Sequence, residues 1–97
     1  MGNFSLSSKA SFDIVSIYKY GIKYFGKDQA QDYLYSLESF LVELSEREEL
    51  YRDCSTIAKG LKFYAYKAHT IFFIQEEINK IYIVRILGKR MNFIEHL

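Results

Sequence analysis

The sequence predicts an α+β domain: an antiparallel helical hairpin packed on a small, mostly antiparallel sheet, in the order β-α-α-β-β-β. Three observations carry this. Apolar residues recur at helical spacing twice between Lys9 and Leu44, with only residues 26–28 between the two runs. Three β-branched and aromatic segments then follow between Leu61 and Leu87, separated by short turn-forming stretches. The 97 residues are 49% hydrophobic and 18% aromatic, enough for one core but too few for two, so residues 1–97 read as a single domain.

Asn3 to Leu6 is a short candidate strand, with Phe4 and Leu6 on one face and Ser5 on the other. Ser7 and Ser8 offer side-chain oxygens to cap the first helix. From Lys9 to Phe25 the apolar stripe is Ala10, Ile14 and Ile17, flanked by Val15, Tyr18, Ile22 and Phe25. Gly26 stops this helix, and Asp28, with Gln31 three residues on, reads as the cap of the next. Ala30, Tyr33, Leu34, Leu37, Leu41 and Leu44 form the second stripe, with Phe40 at its edge. So short a linker folds the helices back on each other.

Residues 45–59 are polar, charge-dense and aperiodic, which predicts a connecting loop with Leu50 and Ile57 as anchors. Leu61 to Tyr66 alternates, placing Leu61, Phe63 and Ala65 opposite Lys62, Tyr64 and Tyr66. Thr70 to Ile74 is apolar on both faces, as the middle of a sheet should be. A turn at Asn79 leads into the last strand, Ile81 to Leu87, which breaks at Gly88; a short helical turn is expected after Asn92. The sheet face away from the helices would be free for a partner.

Charge excludes some functions and localises others. Net charge is +1, so any basic site is local rather than global. Acidic residues gather at Glu43 to Glu49, and the stretch from Lys80 to Arg90 is basic. The single cysteine, Cys54, rules out an intrachain disulfide and fits a reducing, cytoplasmic setting. No apolar run approaches a membrane span. His69 and His96 have no second ligand at zinc spacing, so no metal or cofactor is expected, and Gly-rich phosphate loops and Ser nucleophile motifs are missing.

The candidate binding residues are therefore the cations on the strands and their exits: Lys62, Lys67, His69, Arg85, Lys89 and Arg90. By alternation Arg85 shares a face with Ile81, Ile83 and Leu87. Three roles are open to it: pairing with a carboxylate at the sheet surface, snorkelling beside the core, or holding an acidic partner segment together with Arg90. Tyr20, Tyr24 and Tyr35 lie toward the less apolar side of the helical hairpin and suit a protein-binding surface. Met91, Asn92 and Phe93 extend the candidate surface into the tail.

Three segments together resemble the ParE branch of the RelE/ParE toxin superfamily. Ser8-Lys9-Ala10 followed by Asp13, Ile14 and Ile17 is similar to the family's first helix. Gly60-Leu61-Lys62-Phe63 with Ile71-Phe72-Phe73 is similar to its central hairpin. Arg85-Ile86-Leu87-Gly88-Lys89-Arg90-Met91-Asn92 is similar to its last strand and exit, where His commonly stands for Gly88 and Asp for Asn92. The resemblance implies the toxin of a type II toxin–antitoxin module, of the kind that stabilises plasmids. Such a toxin poisons DNA gyrase by protein binding rather than by catalysis. A ParD-like or other acidic antitoxin would neutralise it, and contact with DNA would come only through the antitoxin complex. The alternative within the superfamily is a RelE-like, ribosome-dependent mRNA endonuclease, for which Lys62, His69, Arg90 and His96 would have to converge. A member that keeps antitoxin binding but has lost toxicity is the third reading.

Overall fold

The computed structural model describes residues 1–91 and 93–97, without the side chains of residues 93 and 94. β1 (Asn3–Leu6) leads into α1 (Ser8–Phe25) and α2 (Lys27–Glu46). A 3₁₀ turn at Glu48–Leu50 precedes β2 (Arg52–Asp53), β3 (Leu61–Tyr66), β4 (His69–Glu77), β5 (Lys80–Gly88) and α3 (Phe93–His96). The sheet runs β1-β5-β4-β3-β2; β1 lies parallel to β5 and every other pairing is antiparallel. The expected architecture is present. What the charge-dense stretch concealed is that α2 continues to Glu46 and that Arg52–Asp53 pairs with β3, so residues 45–59 are not a plain loop. Within it Leu50 packs against the core, whereas Ile57, expected as an anchor, is exposed.

The Ser7 hydroxyl caps α1 by accepting from the Ala10 N–H at 2.9 Å. Gly26, at φ 88° and ψ 163°, ends α1 and starts α2, a conformation that only glycine adopts freely. Its N–H donates to the Ile22 carbonyl and its own carbonyl accepts from the Ala30 N–H. Asp28, expected as the cap of α2, instead sits in the first turn, where its charge opposes the positive end of the helix dipole.

The core lies between the hairpin and one sheet face. Ala10, Leu37, Leu41 and Leu44 from the helices meet Ile71, Phe73, Ile81, Ile83 and Ile86 from β4 and β5. Phe40 stacks on Tyr66 at 4.5 Å and on Tyr64 at 5.6 Å, extending this layer over β3. The opposite sheet face is not wholly free for a partner: Leu61, Phe72 and Leu87 are buried there, with Cys54, Phe63 and Val84 packed around them.

A bulge decides which residues of β5 face which side. Phe72 opposes Arg85 while Phe73 opposes Ile83, which leaves Val84 as an extra residue. Strict alternation therefore fails beyond Ile83. Ile86, not Leu87, joins Ile81 and Ile83 in the main core, and Leu87 goes to the second cluster. Arg85 is correspondingly separated from the face that alternation assigns to it.

Arg85 meets Asp13 of α1 in a bidentate pair, Nε to Oδ2 at 2.8 Å and Nη2 to Oδ1 at 2.8 Å. Their side chains are only 14% and 10% exposed. The Ile86 N–H adds a third bond to Asp13 Oδ2, at 2.9 Å. Breaking a largely buried pair leaves an uncompensated charge, so Asp13→Ala should cost about 3–5 kcal/mol in urea unfolding at pH 7. Arg85→Met should also destabilise, and the double variant should lose clearly less than the two single losses combined. Strictly additive losses would show that the two side chains do not depend on each other.

Candidate functional site

The β3–β4 turn and the exit of β5 lie side by side. His69 opposes Gly88 in the strand register, and the Lys89 N–H donates to the Ala68 carbonyl at 3.1 Å. This pairing gathers Lys67, His69, Lys89 and Arg90 at one end of the sheet, with Lys67, Lys89 and Arg90 exposed. Lys67 holds φ at 51°, in the left-handed region. Its ammonium lies 5.7 Å from the Tyr33 ring and 5.2 Å from the Tyr66 ring, and it donates to Ser36 Oγ at 3.4 Å. Gln29, Asp32, Tyr33, Ser36 and Lys67 line a surface groove of about 360 Å³ beside it.

At the floor of this end, Tyr33 Oη and His69 Nδ1 are 2.6 Å apart. Burial pushes the Tyr33 phenol up to about 12, helped by the neighbouring Tyr66. The phenol thus stays protonated at neutral pH. Burial lowers the pKa of His69, against a smaller opposing pull from Asp13.

The four residues a nuclease would need do not come together. Lys62 opposes Phe73 while His69 opposes Tyr66. The two therefore stand four residues apart along the ladder, about 13 Å at the usual strand rise. Lys62 pairs instead with Asp53 on β2 at 3.7 Å. The Asp53 carboxyl lies below the ordinary range because Ser55 donates to it, with Lys62 adding to the effect. His96 is half-buried, and its carbonyl accepts from Arg85 Nη1 at 2.7 Å. That bond ties α3 to the Asp13–Arg85 pair, so the Arg85 guanidinium is engaged inside the chain by a carboxylate and a helix-end carbonyl.

Arg90 and Met91 occupy the turn after β5. Met91 is 39% exposed; its N–H donates to the Gly88 carbonyl, and its sulfur accepts from the Gly88 N–H at 3.3 Å. Asn92 and the Phe93 side chain lie outside the described residues. Tyr20 and Tyr24 are 60% and 57% exposed and contact one another at 4.5 Å, with the Lys23 ammonium 5.4 Å from the Tyr24 ring. Tyr35 is exposed as well. Sequence reasoning missed Phe12, at 71% exposure, and placed Val15, Ile22 and Phe25 beside the core, although all three are exposed.

His69 sets a pH dependence. Its folded-state pKa is below the unfolded value of about 6.5, so the unfolded chain binds the proton more readily. Its contribution is complete above that value and declines as pH falls toward the folded pKa, at no more than about 1.4 kcal/mol per pH unit. The difference in unfolding free energy between the natural chain and His69→Gln should shrink as pH falls below about 6.5. A difference that is flat with pH in urea titrations would contradict this.

The sequence model described as ParE toxin of type II toxin-antitoxin system, parDE, matches residues 4–93. Among solved structures, the chromosomal ParDE TA system from P. aeruginosa is similar in fold, with a TM-score of 0.73. That match covers 91% of this chain and 96% of the other, at 17% identity. No curated protein matches the chain. The matched region begins inside β1 and runs through both long helices and every other strand to the first residue of α3, and the chain belongs to the ParE toxin family of type II toxin–antitoxin systems.

Proposed function

We infer that this chain arrests growth by binding DNA gyrase and stabilising its cleaved-DNA state, and that a cognate acidic antitoxin neutralises it. The observation that carries the reading is the dispersal of the candidate catalytic groups. Lys62 is engaged by Asp53 at the far end of β3, and the His69 Nδ1 is committed to Tyr33. What remains exposed at the β5 exit is Lys89, Arg90 and Met91, with Tyr20 and Tyr24 on α1: cations and amphipathic side chains suited to a protein surface. Such a patch favours an acidic partner through charge-assisted contacts and accelerates its approach.

A ribosome-dependent nuclease is the second reading. It draws on the gathering of Lys67, His69, Lys89 and Arg90 at one end of the sheet. A near-neutral chain lacks the broad positive field that contact with ribosomal RNA rewards, which weighs against it.

Purified protein added to gyrase, supercoiled plasmid and ATP should accumulate cleaved DNA. Lys89→Glu with Arg90→Glu should reduce this by an order of magnitude or more, without loss of the folded circular-dichroism signal. Intact gyrase turnover, with mRNA cut in a translating extract, would select the nuclease instead. A second expectation concerns the tail. Truncation after Met91 removes the acceptor of Arg85 Nη1, at a cost of about 1.5–3 kcal/mol for a charged hydrogen bond. The truncated chain should remain folded and fail to arrest growth; full arrest would place the determinant elsewhere.

A further inference from the structure

The turn at the exit of β5 is closed by Met91. This residue serves both backbone groups of Gly88: its N–H donates to the Gly88 carbonyl at 3.0 Å, and its sulfur accepts from the Gly88 N–H at 3.3 Å. Lys89 and Arg90, both exposed, are the two residues inside the turn that these bonds close. A thioether is a weak acceptor, so the cations take their places from a bond that a small change at sulfur can undo. The Met91 side chain is within reach of solvent, the residue being 39% exposed. The chain's other sulfur atoms belong to Cys54 and Met1, and both are placed differently. Cys54 packs against Leu61, Phe72 and Leu87, and burial pushes its thiol up, which keeps reactive thiolate scarce. Met1 is fully exposed beside β1, which pairs with the start of β5, about 26 Å from Gly88 at the usual strand rise.

We propose that Met91 is a reversible oxidation site, whose sulfoxide opens the β5-exit turn and weakens partner binding there. The oxidant is a peroxide. The sulfur gives an electron pair to one peroxide oxygen, and the S–O bond forms as the O–O bond breaks. The leaving hydroxide takes the proton of the transferred oxygen and departs as water. Sulfur is thus oxidised by two electrons and the peroxide reduced by two, and a methionine sulfoxide reductase reverses the change. One lone pair of the sulfur faces the Gly88 N–H, so oxygen is added at the other, and one of the two sulfoxide epimers results. In a sulfoxide the acceptor strength passes from sulfur to oxygen, which here points away from Gly88. The Gly88 N–H then loses its partner to water, and Lys89 and Arg90 lose the closure that places them. This role of Met91 rests on the reading of Lys89, Arg90 and Met91 as a binding surface.

The test treats the full chain with hydrogen peroxide at about pH 5, where thiolate is negligible, and then removes the peroxide. Peptide mapping should find Met91 carrying one added oxygen. Of the two epimer-specific methionine sulfoxide reductases, one should restore nearly all of it and the other little. Hydrogen exchange at the Gly88 amide, read by NMR, should quicken about tenfold or more on oxidation and slow again after reduction. In Met91→Leu the Gly88 amide should exchange fast from the outset and ignore peroxide. Cleaved DNA accumulated by gyrase should fall severalfold with the oxidised chain and recover with the repaired one. The Met91→Leu chain, at whatever level it acts, should not respond to peroxide. Met91 left unoxidised at a dose that oxidises Met1, equal repair by both reductases, or an unchanged Gly88 amide overturns the proposal. So does undiminished cleavage by a chain fully oxidised at Met91. A chain inactive on gyrase in both states would sink the gyrase reading, while mapping, repair and exchange still decide the oxidation site. Cleavage that ignores Met91 oxidation would leave gyrase as the target and sink the switch alone.

Discussion

The carboxylate of Asp13 does for this fold what a strand does elsewhere. β1 ends at Leu6, opposite Ile83, so among the described residues the rest of β5 has no strand neighbour on that side. An uncovered strand edge leaves backbone groups unpaired. Ser7 takes up two of them, its N–H donating to the Ile83 carbonyl and its hydroxyl to the Val84 carbonyl at 2.7 Å. Asp13 takes the next, the Ile86 N–H, and in the same position receives both forks of Arg85. One acidic residue thereby satisfies the sheet edge, compensates a largely buried guanidinium, and leaves a third guanidinium nitrogen aimed at the carbonyl of His96. The first helix, the last strand and the tail are referred to one point.

The bulge at Val84 belongs to the same arrangement. Without the extra residue, alternation would have carried Leu87 toward the helices and Ile86 away from them. With it, Ile86 closes the main core while Leu87 completes the cluster on the opposite sheet face. Bulges commonly re-aim a side chain near a site of function, and here the re-aimed side chain is the arginine that fixes the tail.

The helical hairpin was legible because its two stripes are long and its breaker unambiguous: Leu37, Leu41 and Leu44 recur at helical spacing and are buried almost completely. The β3–β4 and β4–β5 hairpins were legible from the alternation of Leu61–Tyr66 and from the short β-branched and aromatic runs Thr70–Ile74 and Ile81–Leu87 set between turn formers. Arg52–Asp53 was not, because two polar residues carry no periodicity to mark their pairing with β3. Nor was the bulge, since an inserted residue leaves no mark in a run of Ile, Val and Leu. For the site, the sequence offered candidate cations but not where they point. Arg85 was open to a structural or a binding role, and the deciding residue, Asp13, lies 72 positions away on another element. Exposure on α1 was misjudged because Val15, Ile22 and Phe25 are apolar at spacings that also fit a core face.

The parallel pairing of β1 with β5 gives the folding of this toxin a timetable. Phe4 opposes Ile81, and the Ser7 hydroxyl reaches Val84 across 77 positions. Contacts of such separation form late, since the intervening chain must first be ordered. At synthesis rates of about 5–20 residues per second, β1 and the first turn of α1 wait roughly 4–15 seconds for the segment that completes them. Until residues 81–86 have left the ribosome, the hairpin can assemble, yet its Asp13 has no arginine and its sheet has no first edge. The finished fold, and any activity that depends on it, therefore arises only after synthesis has passed β5. A neutralising partner made nearby would meet this chain first as an open helical hairpin, before it meets a toxin.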